Sequence, residues 1–120
     1  MTLFGKKTRP VDLYEFYGEK FRKGDLIVAV LRDHIEKKKP KLEELQTTFK
    51  EAEIKNFGLF QEEKLAVSKS KKYKRYLIDE GRIIVLPTGE RIAVTSQLTK
   101  ENVKPFLEIA KKLGYKITQP

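Results

Sequence analysis

Two strand-like segments separated by a tight turn constrain the fold of this chain more than any other feature. The segments are residues 82–86 and 91–95, and they flank the turn sequence Pro-Thr-Gly-Glu at residues 87–90. Proline presets φ at the first corner of a turn, and glycine permits a positive φ. We therefore predict that the two segments pair as an antiparallel β-hairpin. Residues 76–78 are strand-like as well and precede the hairpin.

The segment after the hairpin predicts an amphipathic helix and then a short strand. We place the helix start near Asn102, because Pro105 then falls in the first turn, where its missing N–H costs nothing. Asn102 is expected to cap this helix, although the amides of Gln97 and Asn102 could also contact a base or a peptide. Gly114 ends the helix, and residues 115–117 follow as a strand. Five apolar residues form the buried face: Val103, Phe106, Leu107, Ala110 and Leu113.

Three helices are predicted before the hairpin. The first covers about residues 12–24 from a cap at Asp12, and Gly18 weakens it by about 1 kcal/mol relative to alanine. The second covers about residues 25–38. Its opening apolar run could equally be a buried strand, but the apolar spacing continues and the segment exceeds ten residues. The third helix covers about residues 41–52, with its apolar side chains on one stripe.

The fold class that results is α+β. We expect a single small domain over residues 11–120, in which N-terminal helices precede the antiparallel hairpin, a C-terminal helix and a short final strand. Residues 59–67 predict a short strand or a loop, and residues 68–75 show no apolar period. Residues 1–10 are expected to form a basic, flexible N-terminal segment.

Three helices followed by a hairpin also suggest a winged helix, with the third helix in the major groove and residues 87–90 at the wing tip. The charges speak against this alternative. The third helix and the residue just past it carry four carboxylates that phosphates would repel: Glu43, Glu44, Glu51 and Glu53.

The composition excludes several classes of protein. The chain has no cysteine, so it can form no disulfide scaffold, thiolate metal site or iron–sulfur cluster. Its longest apolar run, residues 26–31, is six residues, which is too short to cross a membrane, and the N-terminus lacks the apolar stretch of a signal peptide. We therefore expect a cytoplasmic protein with no cofactor and no membrane partner.

Residues 69–75 are the strongest local anomaly. The sequence Lys-Ser-Lys-Lys-Tyr-Lys-Arg holds five cations and no acid, so +5 of the net charge of +9 lies in seven residues. Clustered cations favour a polyanion, because each neutralised phosphate releases counterions, and aromatic rings among them can stack on unpaired bases. Four lysines against one arginine favour backbone contacts over recognition of base edges. The predicted nucleic-acid-binding residues are Lys69, Lys71, Lys72, Tyr73, Lys74, Arg75 and Tyr76.

The leading interpretation is a non-enzymatic nucleic-acid-binding module that contacts DNA or RNA. Alternatively, the chain could be a protein-interaction or regulatory domain that binds an acidic partner through the same cations. A further interpretation is that the segment is a solvated loop with Tyr76 in the core. Residues 91–117 resemble small phage or mobile-element proteins. Other cations have simpler explanations, as helix C-terminal charges or a mobile tail: Lys37, Lys38, Lys39 and Lys41, and Lys6, Lys7 and Arg9.

Groups suited to catalysis are few. His34 is the single histidine, and the serines have no Gly-x-Ser-x-Gly context. The nearest enzyme signature is the acid-x-Lys triplet of a metal-dependent nuclease, at residues 53–55 and 62–64. A chain this rich in glutamate and lysine contains such triplets by chance. We therefore expect a binding protein rather than an enzyme, with no catalytic residues and no metal ligands.

Overall fold

The structure is a computed structural model that describes residues 13–54 and 58–119. These residues form an α+β arrangement, which confirms the fold class predicted from the sequence. In chain order the elements are β1 (Tyr14–Phe16), β2 (Glu19–Phe21), α1 (Lys23–Lys38), α2 (Leu42–Thr48), β3 (Phe60–Glu62), α3 (Glu63–Lys69), β4 (Ile84–Val85), β5 (Arg91–Val94), α4 (Lys104–Lys112) and β6 (Ile117–Thr118). Single turns of 3-10 helix lie at Lys50–Ala52 and Glu80–Arg82.

The described strands form two antiparallel sheets of three strands each. The first has the order β2-β1-β6, so that Phe16 near the start of the chain lies opposite Ile117 near its end. The second has the order β3-β5-β4, and it contains the predicted hairpin, with Ile84 paired to Ile92. Gly89 adopts a φ of 93° in the hairpin turn, the positive value that the sequence predicted there.

Helix α1 packs against both sheets, contacting β1 and β2 of the first and β5 of the second. The apolar run that opens it folds as a helix because the buried side chains continue along one face for its whole length. These side chains are Leu26, Ile27, Val30, Leu31, His34 and Ile35. Phe49 and Phe106 stack in the same core, with ring centroids 5.7 Å apart, and so attach α4 to the segment that follows α2.

The first predicted helix is wrong, because residues 14–21 form the β1–β2 hairpin instead. Tyr17 and Gly18 make its turn with φ values of 52° and 79°, and a two-residue hairpin turn of type I′ requires positive values at both positions. Gly18 is therefore a turn residue and not a weak point of a helix. The winged-helix alternative loses its predicted first helix, because residues 14–21 are the β1–β2 hairpin. Among the described residues α1, α2 and the short α3 precede the β4–β5 hairpin, and the strand β3 separates α2 from α3.

Smaller differences concern the ends of elements. Helix α3 lies where a strand or loop was expected, and of its residues only Ala66 is buried, so no apolar stripe announced it. The predicted helix over 41–52 is divided into α2 and a 3-10 turn. Helix α4 begins at Lys104 and is not capped by Asn102, whose side chain instead accepts the Thr99 N–H at 2.7 Å in the preceding turn.

Two further expectations concern the N-terminal segment and the membrane. The expected flexible segment at residues 1–10 lies outside the described residues. Over residues 13–54 and 58–119, no helix combines the length and the apolar character needed to span a bilayer.

Candidate nucleic-acid interface

The basic loop, defined here as residues 69–75, connects helix α3 to the second sheet. Lys69 is the last residue of α3, and just beyond the loop Tyr76 forms a β-bridge to Thr95. A small buried cluster contains side chains from the elements on either side of the loop: Ala66, Tyr76, Ile83 and Ala93. The basic loop is therefore attached to the folded body at both ends.

Hydrogen bonds to the backbone fix the second half of the basic loop. The N–H of Arg75 donates to the Ser70 hydroxyl oxygen at 3.2 Å, and this bond closes the loop across its ends. The N–H of Ser96 donates to the Arg75 carbonyl at 2.9 Å, and the Gln97 side-chain amide donates to the Lys74 carbonyl at 3.0 Å. Gln97 therefore holds the basic loop. No spacing in the sequence links these distant residues, so sequence reasoning missed this role.

The lysine side chains of the basic loop face water. Lys69, Lys71, Lys72 and Lys74 are all exposed. In the part of the chain that the structure describes, no carboxylate lies at ion-pair distance from their ammonium groups. These four predicted residues are thus brought together on one short loop with their charges directed to solvent.

Acidic residues that flank the basic loop in the chain are paired with arginines instead. Arg91 lies 2.7 Å from a carboxylate oxygen of Glu63 and 2.7 Å from one of Glu80. Arg82 lies 2.8 Å from Asp79. The hydrogen bond from Arg91 lowers the pKa of Glu63, and the one from Arg82 lowers the pKa of Asp79. At ion-pair distance the charge of these carboxylates is balanced by guanidinium groups, while Lys74 adds a weaker, longer-range attraction that also lowers the pKa of Asp79.

The two tyrosines of the predicted site have opposite environments. Tyr73 is 60% exposed, and the Lys72 ammonium lies 5.7 Å from its ring centroid. Tyr76 is completely buried, and burial raises the pKa of its hydroxyl against an opposing hydrogen bond from Gln61. The prediction that Tyr76 contacts nucleic acid is therefore corrected: its ring belongs to the core and anchors the end of the basic loop.

A groove of about 480 Å³ opens beside the basic loop at the start of helix α1. Ser96 links the two features, because it lines the groove and donates its hydroxyl to the Lys74 carbonyl at 3.3 Å. The charged side chains that line the groove are Arg22, Lys23, Asp25 and Arg82. Arg82 is balanced by Asp25 at 3.4 Å and Asp79 at 2.8 Å, so the cations of the groove that extend the positive surface toward α1 are Arg22 and Lys23.

The remaining candidates from the sequence have structural roles or lie elsewhere. Lys37 lies 2.9 Å from Asp33 and donates to the Tyr17 hydroxyl at 3.0 Å, so it joins α1 to the first hairpin. His34 is buried edge-on against Phe49, and burial lowers its pKa. Among the described side chains, no three acidic, histidine or cysteine residues meet in a geometry that could hold a metal ion. Four further candidates lie outside the described residues: Lys6, Lys7, Arg9 and Lys55.

The chain matches no protein-family model, no curated protein and no solved structure. The functional argument therefore begins from the geometry of the basic loop.

Proposed function

We propose that this protein is a nucleic-acid-binding module without enzymatic activity, whose basic loop neutralises phosphates of DNA or RNA with little base specificity. One observation supports this most strongly. Lys69, Lys71, Lys72 and Lys74 share a short, anchored loop, and none of them has a carboxylate at ion-pair distance within the described residues. Such cations break no ion pair when they bind a phosphate, and each contact gains the entropy of the released counterions.

The kind of cation favours phosphates over base edges. The lysine ammonium is a compact point charge, whereas the planar guanidinium fork of arginine can bond two acceptors of guanine at once. Arg82 and Arg91 already bond carboxylates, which leaves the lysines as the main cations facing solvent. Affinity should therefore depend on the number of phosphates and on salt more than on base sequence.

The groove beside the basic loop supports the same function. It places Arg22 and Lys23 next to Ser96, whose hydroxyl bonds the loop backbone. A strand that leaves the basic loop on this side meets further positive charge. The interface then exceeds the seven residues that the charge pattern of the sequence marks.

The test is a titration of labelled single- and double-stranded oligonucleotides, followed by fluorescence anisotropy at two salt concentrations. The test variant changes three lysines of the basic loop to Glu: Lys71, Lys72 and Lys74. A matched control variant changes three exposed lysines elsewhere to Glu: Lys50, Lys104 and Lys116. Both variants lower the net charge from +9 to +3. We expect the loop variant to lose affinity by at least about a hundredfold and the control variant to keep most of it.

Circular dichroism spectra confirm that both variants remain folded. An equal loss in the two variants would contradict the proposal, because net charge and not the basic loop would then drive binding. Polyglutamate serves as a polyanion without phosphates or bases. If it competed as well as an oligonucleotide of equal charge, an acidic protein partner would replace nucleic acid as the ligand.

A further inference from the structure

The basic loop contains a single exposed aromatic side chain, Tyr73, with cations beside it. The Lys72 ammonium lies 5.7 Å from the ring centroid, and the guanidinium carbon of Arg75 lies 5.6 Å from it. Both distances are close to the outer limit of about 6 Å for a cation–π contact, so neither cation packs tightly on the ring. Tyr73 is 60% exposed, and both positive charges lie near its ring.

We infer that the basic loop selects single-stranded over double-stranded nucleic acid, with one base stacked on Tyr73 and the adjacent phosphates on Lys72 and Arg75. This inference rests on the proposed function and names the substrate class of the same site. An unpaired base can offer its face to an aromatic ring, whereas base pairs inside a duplex are covered on both faces by their neighbours. Phosphates alone would not separate the two kinds of strand in this way.

The burial of Tyr76 limits the loop to one stacking platform. Tyr76 lies three residues after Tyr73 and has no exposed surface. One ring can hold one base, and every base has a face that stacks. The predicted selectivity is therefore for the single-stranded state and not for a particular sequence.

Tyr17 provides an internal control, because it is an exposed tyrosine beside a lysine, but its ring already stacks on Phe16 with centroids 4.3 Å apart and a carboxylate lies next to it. It is 67% exposed, and the Lys37 ammonium lies 5.6 Å from its ring centroid. Lys37, however, is 2.9 Å from Asp33, and the Tyr17 hydroxyl donates to the same carboxylate at 3.5 Å. A phosphate that approached Tyr17 would meet this negative charge, so we expect no stacking there.

The absence of tryptophan from the chain makes a direct test possible. The variants Tyr73→Trp and Tyr17→Trp each contain one indole, whose fluorescence is quenched when a base stacks on it. We expect single-stranded oligo-dT to quench the Tyr73→Trp variant and to leave the Tyr17→Trp variant unchanged. A duplex of equal length and heparin, which has no bases, should quench neither variant.

Affinities measured by anisotropy complete the test. Tyr73→Leu should weaken binding of the single strand by about tenfold, Tyr73→Phe should retain it, and Tyr17→Leu should leave it unchanged. Salt-dependent binding of single strand and duplex with equal affinity and no quenching would overturn this inference and leave the proposed function standing. Failure to bind either nucleic acid would overturn both.

Discussion

The basic loop and the segment that follows it, residues 79–82, are both densely charged. They differ in whether their charges form ion pairs within the fold. In residues 79–82, Asp79 bonds Arg82 and Glu80 bonds Arg91, so that opposite charges balance within the fold. Lys71, Lys72 and Lys74 in the basic loop have no carboxylate at ion-pair distance in the described residues. The two segments are only a few residues apart, yet they differ in whether a carboxylate lies at ion-pair distance from their cations.

The difference between the segments follows the chemistry of the two cations. The guanidinium of Arg91 bridges two carboxylates that come from separate elements, Glu63 at the start of α3 and Glu80 after the basic loop. A planar fork with five donors suits such bridges, while the lysine ammonium is a strongly hydrated point charge. The acids near the basic loop therefore have arginines at ion-pair distance, and Lys74 interacts with Asp79 only over a longer distance.

Neutralising the lysines of the basic loop should have the largest effect on oligonucleotide binding, because it removes the charges that distinguish this loop from residues 79–82. Changing Lys71, Lys72 and Lys74 to Gln removes three phosphate contacts. The slope of log affinity against log salt on a single strand should become shallower by about 2, at about 0.7 per lost contact. Affinity at low salt should fall roughly a hundredfold. Anisotropy titrations over a salt series measure both, and an unchanged slope would remove the basic loop from the interface.

Weakening the anchor between the two segments should change stability and leave binding intact. Tyr76→Phe removes the hydroxyl that Gln61 bonds in the core, at an expected cost of about 1 kcal/mol in the free energy of unfolding. Tyr73→Phe removes an exposed hydroxyl and should cost less than about 0.5 kcal/mol. Urea denaturation compares the two variants. The assignment of Tyr76 to the core fails if its variant loses affinity for oligonucleotides while its stability is unchanged.

Removing the arginine that pairs with Glu63 and Glu80 should let the charge of these carboxylates act on the basic loop. Arg91→Met leaves Glu63 and Glu80 without their guanidinium partner. Glu63 lies about 9 Å along α3 from Lys69, a distance over which charges still interact at low salt. We expect oligonucleotide affinity to fall about twofold at low salt and the loss to vanish at high salt. Lys100→Met, which removes the same charge from an exposed position, is the control and should have a smaller effect.

Lowering the pH should weaken the ion pairs that Glu63 and Asp79 form with arginines. It should not affect the basic loop, which contains no carboxylate. The arginines lower the pKa values of Glu63 and Asp79 below the ordinary values of 4.5 and 3.8. The ion pairs therefore stabilise the fold fully at pH values above these ordinary pKa values. That stabilisation is lost as the pH falls through the lowered values. The Arg82→Met/Arg91→Met variant should therefore lose less stability than the unmodified chain between about pH 5 and about pH 3. Identical losses in urea denaturation would show that these pairs contribute nothing.

Turn chemistry and apolar spacing explain which parts of the fold could be predicted from the sequence. The β4–β5 hairpin and α4 were predictable, since Gly89 and Pro105 fit a single local geometry. The β1–β2 hairpin was not, because Tyr17 adopts a positive φ that non-glycine residues rarely take. Helix α3 lacked a signal because Leu65 and Val67 are exposed.

The sequence identified the lysines of the candidate site, but it did not show how neighbouring residues are paired or buried around them. The charge pattern identified the lysines, which the structure places in water. It could not show that Glu63 pairs with Arg91, because the two residues are 28 positions apart and only the fold brings them together. It also assigned Tyr76 to the ligand, since two tyrosines among cations look alike until one of them is buried.

Acetylation of lysines, quantified by mass spectrometry with and without a single-stranded oligonucleotide, tests the central claim most directly. In the free protein we expect Lys71, Lys72 and Lys74 to react quickly and Lys37 to react slowly, because its hydrogen bonds to Tyr17 and Asp33 raise its pKa. The oligonucleotide should protect the three loop lysines and leave Lys37 unchanged. Loop lysines that react as slowly as Lys37 in the free protein, or that gain no protection from the oligonucleotide, would contradict the account.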